Sequence, residues 1–241
     1  MNCGIYAAAS GMAVQRDRMD AVANNMENVA TTGYKRDQGT INSFKDILIY
    51  AQKGNRGNQR LGTSGFGANF CQAATAFMPG PIAETGRNTD FALTGDGFFV
   101  LQGEDGHLYT RDGAFSVDDD GYLTGAGGRR VLGERGTIQL SRRDESIADI
   151  SPDDLMIYEF ENKLVLEKQG GNCFKDPEGE GRRVRNRGGI VKQGFLEGSN
   201  VDLATEIVDM MAVLRAYEAG QKVLHAQDEL TERVLRVGSM R

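Results

Sequence analysis

Glycine is distributed along this chain in a way that leaves few architectures open. The 241 residues include 32 glycines, about twice the usual share of roughly 7%. Two of them, Gly4 and Gly11, fall within residues 1–32, one (Gly220) within 199–237, and eleven within 95–136. Pro79, Pro81, Pro152 and Pro177 also lie between the terminal segments. Both residue types punctuate turns and disfavour helix interiors. The pattern predicts helices at the two ends and short strands joined by turns in the middle.

The end segments carry helical periodicity. Ile5, Ala8, Met12, Met19, Val22, Met26 and Val29 follow alternating steps of three and four, interrupted by Gln15. That is an a/d seam of about three and a half heptads. Thr31-Thr32-Gly33 is expected to stop the helix, with Gly33 placed for a left-handed C-cap. At the other end Leu203, Ile207, Met210, Leu214, Tyr217 and Leu224 form a stripe, interrupted by Gln221. The apolar positions then drift to Leu230, Val234 and Val237, as a straight helix drifts against a strict heptad. Ser199 or Asn200 can cap its start, and Asp202 and Glu206 suit the positive end of the dipole. The two helices can pair with each other or with copies on neighbouring subunits, and helices confined to the termini favour assembly.

Between the ends, residues 90–93, 98–101, 114–117 and 137–140 are β-prone runs. They are separated by Gly95-Asp96-Gly97, Glu104-Asp105-Gly106, Arg111-Asp112-Gly113 and Asp120-Gly121, and Asp-Gly between such runs signals hairpins. Further strands are expected at 155–160 and 163–168. The reading is an α+β chain in which the long terminal helices pair as a coiled-coil-like core domain and the middle is a mostly antiparallel β domain. Its expected divisions are a discontinuous helical domain from 1–48 and 190–241, a glycine-rich extended connector at 49–79, and a β-rich outer domain at 80–189.

Templates for chemistry fail on particular residues. Gly62 to Gly67 has the outer spacing of a phosphate-binding loop, but Ala68-Asn69 stands where Lys-Ser/Thr is needed. Phe66 replaces the second glycine of a nucleophile elbow at Gly62-Thr63-Ser64-Gly65. Ser116, Asp118, Asp120 and Gly121 imitate the start of a calcium loop whose twelfth position would be Gly127, which has no carboxylate, so a hairpin turn is expected at Asp118-Asp119-Asp120-Gly121. His107 and His225 stand apart with no second histidine at ligand spacing. Cys3, Cys71 and Cys173 are odd in number and far apart, and read as small apolar residues rather than a disulfide framework or zinc site. No catalytic, cofactor or metal site is therefore expected, and the chain is not read as an enzyme.

A formal net charge of −6 argues against coating nucleic acid. The one basic cluster, Arg182, Arg183, Arg185 and Arg187, reads as a solvated loop or a contact for an acidic partner. No uninterrupted apolar run reaches the ~18 residues of a membrane span. Met1 to Tyr6 shows neither a basic n-region nor a long apolar h-region, so no cleaved secretory leader is expected.

Three stretches carry more than composition. The first is Ala23-Asn24-Asn25-Met26-Glu27-Asn28-Val29-Ala30-Thr31-Thr32-Gly33-Tyr34-Lys35-Arg36. The second is Gly95-Asp96-Gly97-Phe98-Phe99-Val100, continued by Tyr109-Thr110-Arg111-Asp112-Gly113-Ala114-Phe115 and Asp120-Gly121-Tyr122-Leu123. The third is Gln193-Gly194-Phe195-Leu196-Glu197-Gly198-Ser199-Asn200-Val201-Asp202, with Arg215-Ala216-Tyr217-Glu218 on the helix behind it. In this order the chain resembles the bacterial flagellar basal-body rod and hook proteins, with Glu27 departing from the alanine usual there. Leu196 to Asn200, the ending Gly238-Ser239-Met240 and the short chain look most like the proximal rod member. Arg215 to Glu218 and Gly97-Phe98-Phe99 look more like the distal one.

The resemblance implies a structural subunit exported by the flagellar export apparatus without a cleaved leader. It implies terminal helices that polymerise with copies and with other rod and hook subunits into a hollow, torque-transmitting shaft outside the cytoplasm. No nucleic acid, small-molecule substrate or membrane span is implied. The assembly seam would consist of Ile5, Met12, Met19, Val22, Met26 and Val29 with Leu203, Ile207, Met210, Leu214, Tyr217 and Leu224. The family motif would include Asn24, Asn25, Asn28, Gly33, Tyr34, Ser199, Asn200 and Val201. The three asparagines either set register, as a buried asparagine does in coiled coils, or sit exposed and unwind the helix end. An alternative function is a β-domain binding module that recognises a wall or ring component.

Overall fold

A computed structural model describes residues 3–43, 47–52, 58–64, 67–104, 106–140, 150–184 and 190–239. Gly54, Gly57, Gly65, Phe66, Asp105, Arg185, Arg187 and Met240, singled out in the sequence, lie outside the described residues. The chain forms two compact units: Met1–Met26 with Asp37–Ala74 and Leu203–Arg241, and Glu27–Arg36 with Thr75–Asp202.

The first unit holds both long helices, α1 (Cys3–Glu27) and α2 (Leu203–Ser239). It also holds β1 (Asp37–Ser43) paired with β4 (Ala68–Thr75), and β2 (Ile47–Gln52) antiparallel to β3 (Asn58–Ser64). The helices run antiparallel, since Gln227 lies beside Gly4, Met12 beside Gly220, and Arg18 pairs with Asp209 at 3.9 Å. No helix among the described residues is long and apolar enough to cross a membrane.

A coiled-coil-like pairing of these helices is not what forms, and the expectation is corrected. Small residues make the approach: Gly4, Ala7, Ala8 and Gly11 of α1 face Ala216 and Gly220 of α2 across a shallow groove. A Cβ on Gly220 would come within 2.7 Å of Met12 Cγ. The positions of α2 turned to α1 include Asp209, Ala216, Gly220 and Gln227, and Val213 between them is fully buried. Leu203, Ile207 and Leu214 of the apolar stripe remain 43%, 42% and 41% exposed. Knobs-into-holes packing needs large apolar side chains interlocking from both helices, and here the stripe residues Leu203, Ile207 and Leu214 of α2 are left exposed.

The second unit is built on a fully antiparallel six-stranded sheet in the order β14-β15-β8-β7-β13-β16. Its strands are β7 (Gly97–Gln102), β8 (His107–Thr110), β13 (Ile157–Glu159), β14 (Glu167–Lys168), β15 (Cys173–Lys175) and β16 (Arg182–Val184). Alternate residues of a strand point to opposite faces. Accordingly Phe99 and Leu101 enter one apolar cluster, with Phe91, Phe115, Leu123 and Ile157, while Phe98 and Val100 enter another, with Tyr109, Phe160 and Phe174. Both faces of β7 are covered, which is why its sequence is a continuous apolar run instead of an alternation.

Short pairs flank this sheet. They are β5 (Ile82–Glu84) with β18 (Phe195–Glu197), β6 (Phe91–Leu93) with β17 (Val191–Gln193), β9 (Ser116–Val117) with β10 (Leu123–Thr124), and β11 (Leu132–Gly133) with β12 (Gly136–Thr137). Asp118-Asp119-Asp120-Gly121 makes the turn between β9 and β10, where Asp118 Oδ1 accepts from the Tyr122 amide at 2.8 Å. The expected strand at 163–168 is split, with a single 3₁₀ turn at Lys163–Val165 ahead of β14.

Candidate functional site

Where α1 ends, the chain is fixed by side chains buried close to the backbone. Asn25, 1% exposed, donates from Nδ2 to Asp37 O and accepts the Asp37 amide at Oδ1, both at 3.0 Å. Asn24 is exposed, and Asn28 Oδ1 accepts from the Thr31 hydroxyl at 3.1 Å. Of the three asparagines, Asn25 is the buried one, and it binds both main-chain groups of the first residue of β1. Replacing Asn25 with alanine removes both bonds and should lower stability by about 1–3 kcal/mol. The check is thermal unfolding together with faster hydrogen exchange at the Asp37 amide.

Gly33 has the left-handed φ of 64° that the sequence anticipates, yet it does not cap α1, which ends at Glu27. The turn instead delivers residues 32–36 into the second unit, where many partners hold them. Thr32 Oγ1 donates to Asp112 Oδ1 at 2.6 Å, and the Gly33 amide donates to the Glu197 carbonyl at 2.8 Å. Tyr34 is buried, with Lys168 Nζ 4.2 Å above its ring. The Arg36 amide donates to Asn200 Oδ1 at 2.7 Å, while Asn200 Nδ2 reaches Ala76 O and Met78 O. Neither proposed cap serves α2: Asn200 is turned to this segment, and Ser199 Oγ accepts from the Val201 amide at 3.2 Å.

At its centre is a buried ionic cluster. Lys35 Nζ contacts Glu197 Oε1 at 2.6 Å and donates to Met78 O at 2.9 Å. The same Oε1 accepts the Gly80 amide at 2.9 Å, and Arg111 Nη1 lies 3.4 Å from Glu197 Oε2. Arg111 also lies over the Phe98 ring, 5.0 Å from its centroid. All three residues are 1–2% exposed. Burial pushes the pKa of both Lys35 and Arg111 down, against the opposing pull of Glu197. Burial likewise raises Asp112, which the Thr32 bond only partly offsets. Removing one partner of such a pair costs about 3–5 kcal/mol, because the other charge stays desolvated.

The remaining candidates take ordinary places. His107 and His225 are exposed, and Cys71 and Cys173 are free thiols, Cys173 buried and its pKa raised by that burial. Among the described residues no group of histidine, cysteine and carboxylate side chains is placed to hold a metal. Arg182 and Arg183 lie on β16, where Arg183 donates to Glu134 O at 3.2 Å.

Three family models match separate parts of the chain. They are "Flagella basal body rod protein" at residues 5–35, "Flagellar hook protein FlgE/F/G D1 domain" at 92–154, and "Flagellar basal body rod FlgEFG protein C-terminal" at 192–237. The flagellar basal-body rod protein FlgG of Agrobacterium fabrum (strain C58 / ATCC 33970) is 33% identical over 250 residues, covering 92% of this chain and 94% of that protein. The chain belongs to the flagellar basal-body rod protein family. FlgG of Borreliella burgdorferi is 32% identical over 94% of this chain and 95% of its own, and FlgF of Caulobacter vibrioides 29% over 96% of each. Relatives of both names align along nearly the whole chain, so the assignment rests at the level of the family.

A rod-family chain of this kind is a structural subunit of the bacterial flagellar basal body, serving motility alongside other rod and hook subunits. Lys35, Arg111 and Glu197 each come from a different matched region. Of the seam residues, Val22 is buried, and Ile5, Met12, Met19, Met26, Val29, Met210, Tyr217 and Leu224 are half-buried, while Leu203, Ile207 and Leu214 are exposed. Buried Val14, Val213 and Glu206 fall outside the stripes, since periodicity selects apolar character and Glu206 has none. The ionic cluster also escapes pattern reading. A single Glu within Phe195-Leu196-Glu197 looks like the solvent face of a strand until Lys35 and Arg111 fold onto it.

Proposed function

We propose that this rod subunit polymerises through its terminal helices into a hollow shaft that transmits torque. It acts without catalysis, outside the cytoplasm, after delivery by the flagellar export apparatus. The observation that carries the reading is the outer face of α2. There Leu203, Ile207, Val208, Met211 and Leu214 are all exposed on a helix whose Val213 is fully buried. Burying a side chain of this size contributes roughly 1.5–3 kcal/mol, and the contribution recurs in every copy, so a shaft built on such faces resists shear without covalent links. Seam residues half-buried within α1, such as Ile5 and Met19, would complete the contacts between copies.

The test is complementation of a strain lacking the subunit, with basal bodies imaged by electron microscopy. Full-length protein should restore rods and swimming. A chain ending before Leu203 should restore neither, and complete rods built with it would refute the proposal.

A further inference from the structure

The Glu197 cluster has an electrostatic asymmetry that bears on how residues 31–36 are held, independently of the assembly reading. Two cations, Lys35 and Arg111, contact one carboxylate in a space closed to water. Other charges face it from neighbouring elements. Asp96 acts on both cations but is itself bound to Lys163 at 2.5 Å and is 74% exposed; Lys163 opposes Lys35, and Glu159 acts on Arg111 from β13. Asp112 is held by Thr32, and Lys168 donates to Lys35 O at 3.3 Å. Neutralising Glu197 would therefore leave Lys35 and Arg111 facing each other with no anion in contact. Opposed charges of one sign in low dielectric repel strongly.

We propose that Glu197 is a charge-dependent lock on the strap formed by residues 31–36. Its carboxylate draws Lys35, Arg111 and the Gly80 amide together. When that charge is removed by substitution, the strap and residues 78–80 loosen before the six-stranded sheet does. The order follows from what else holds each part. The strap retains only dispersed hydrogen bonds: Thr32 with Asp112 and Asn172, the Gly33 amide on the Glu197 main-chain carbonyl, two with Asn200, Lys35 O from Lys168, and Arg36 O from the Ala76 amide. Strands β7 and β8 are anchored by the two aromatic clusters on either face. The lock also joins residues 162 positions apart in sequence, so the strap closes only once strand β18 is in place.

Site-resolved hydrogen exchange on the full chain tests this. Glu197→Gln at neutral pH should raise exchange at Gly33, Arg36 and Gly80 by about tenfold or more, with residues 97–102 and 107–110 unchanged. A triple variant, K35M/R111M/E197M, removes every charge of the lock; apolar replacement of a buried ionic triad commonly preserves folding. With no uncompensated cation left, its strap should keep its original protection. The lock is refuted if Glu197→Gln leaves the strap as protected as before, or loosens strap and sheet equally. Should Glu197→Gln not fold, a triple variant whose strap exchanges about tenfold faster while its sheet does not would refute it, because lost contacts and not unbalanced charge would then be the cause.

Discussion

Cells whose sole copy of this subunit carries Ile207→Asp and Leu214→Asp will be non-motile, although the purified double variant will fold and melt like the unsubstituted protein. Both side chains are more than two-fifths exposed, and surface substitutions away from special features usually change stability by no more than about 0.5 kcal/mol. In the proposed shaft the same positions would be closed against a neighbour. Each carboxylate would then lose its water at a penalty of several kcal/mol, repeated in every copy. Val213→Asp provides the contrast: that side chain is fully buried within the subunit, so its replacement should damage the fold itself. Swimming assays and electron microscopy of basal bodies read the assembly, and circular dichroism reads the fold. Normal rods built from the double variant would remove the outer face of α2 from the mechanism.

Gly113→Ala will be among the most damaging single-methyl additions in the second unit. A Cβ there would stand 1.7 Å from Phe91 O and 2.7 Å from Phe91 C. These are backbone atoms, and the Phe91 amide donates to Gly113 O at 3.0 Å, so neither side can yield without breaking the contact. Phe99 Cε2 closes the third side at 3.2 Å. Overpacking of a dense interior typically costs about 1–3 kcal/mol, and more when backbone must move. A loss of about 3 kcal/mol would lower Tm by roughly 6–12 °C in a chain of this size. Gly95→Ala is the matched control, since its Cβ would meet Ile190 Cγ2 at an ordinary 3.6 Å and should leave Tm nearly unchanged. Equal Tm values for the two variants would contradict the packing drawn here around Phe91 and Gly113.

Local chemistry made several features legible without coordinates. Sparse glycine at the ends and dense Asp-Gly between short apolar runs announced two helices around a β middle, because backbone freedom and turn geometry act over a few residues. Phe98 to Leu101 was readable as a strand, although its burial on both faces follows from the partners supplied by β8, β13 and the flanking pairs. The motif residues Gly33, Tyr34, Ser199 and Asn200 stood out as a family signature, but what they touch was not readable. Gly33 looked like the stop of α1 and proved to be the bend of a strap. Asn200 looked like a cap of α2, and its amide instead binds Arg36, Ala76 and Met78.

By itself the sequence determined that the two ends are helical and the middle is mostly short strands and turns, since those choices depend on propensity and on apolar spacing along one element. Only the tertiary structure decided which face of α2 meets α1, because small residues permit a close approach that larger apolar neighbours obstruct. It alone also brought Lys35, Arg111 and Glu197 together. A buried charge persists where opposite charge and hydrogen-bond partners surround it, and those partners come from segments far apart along the chain.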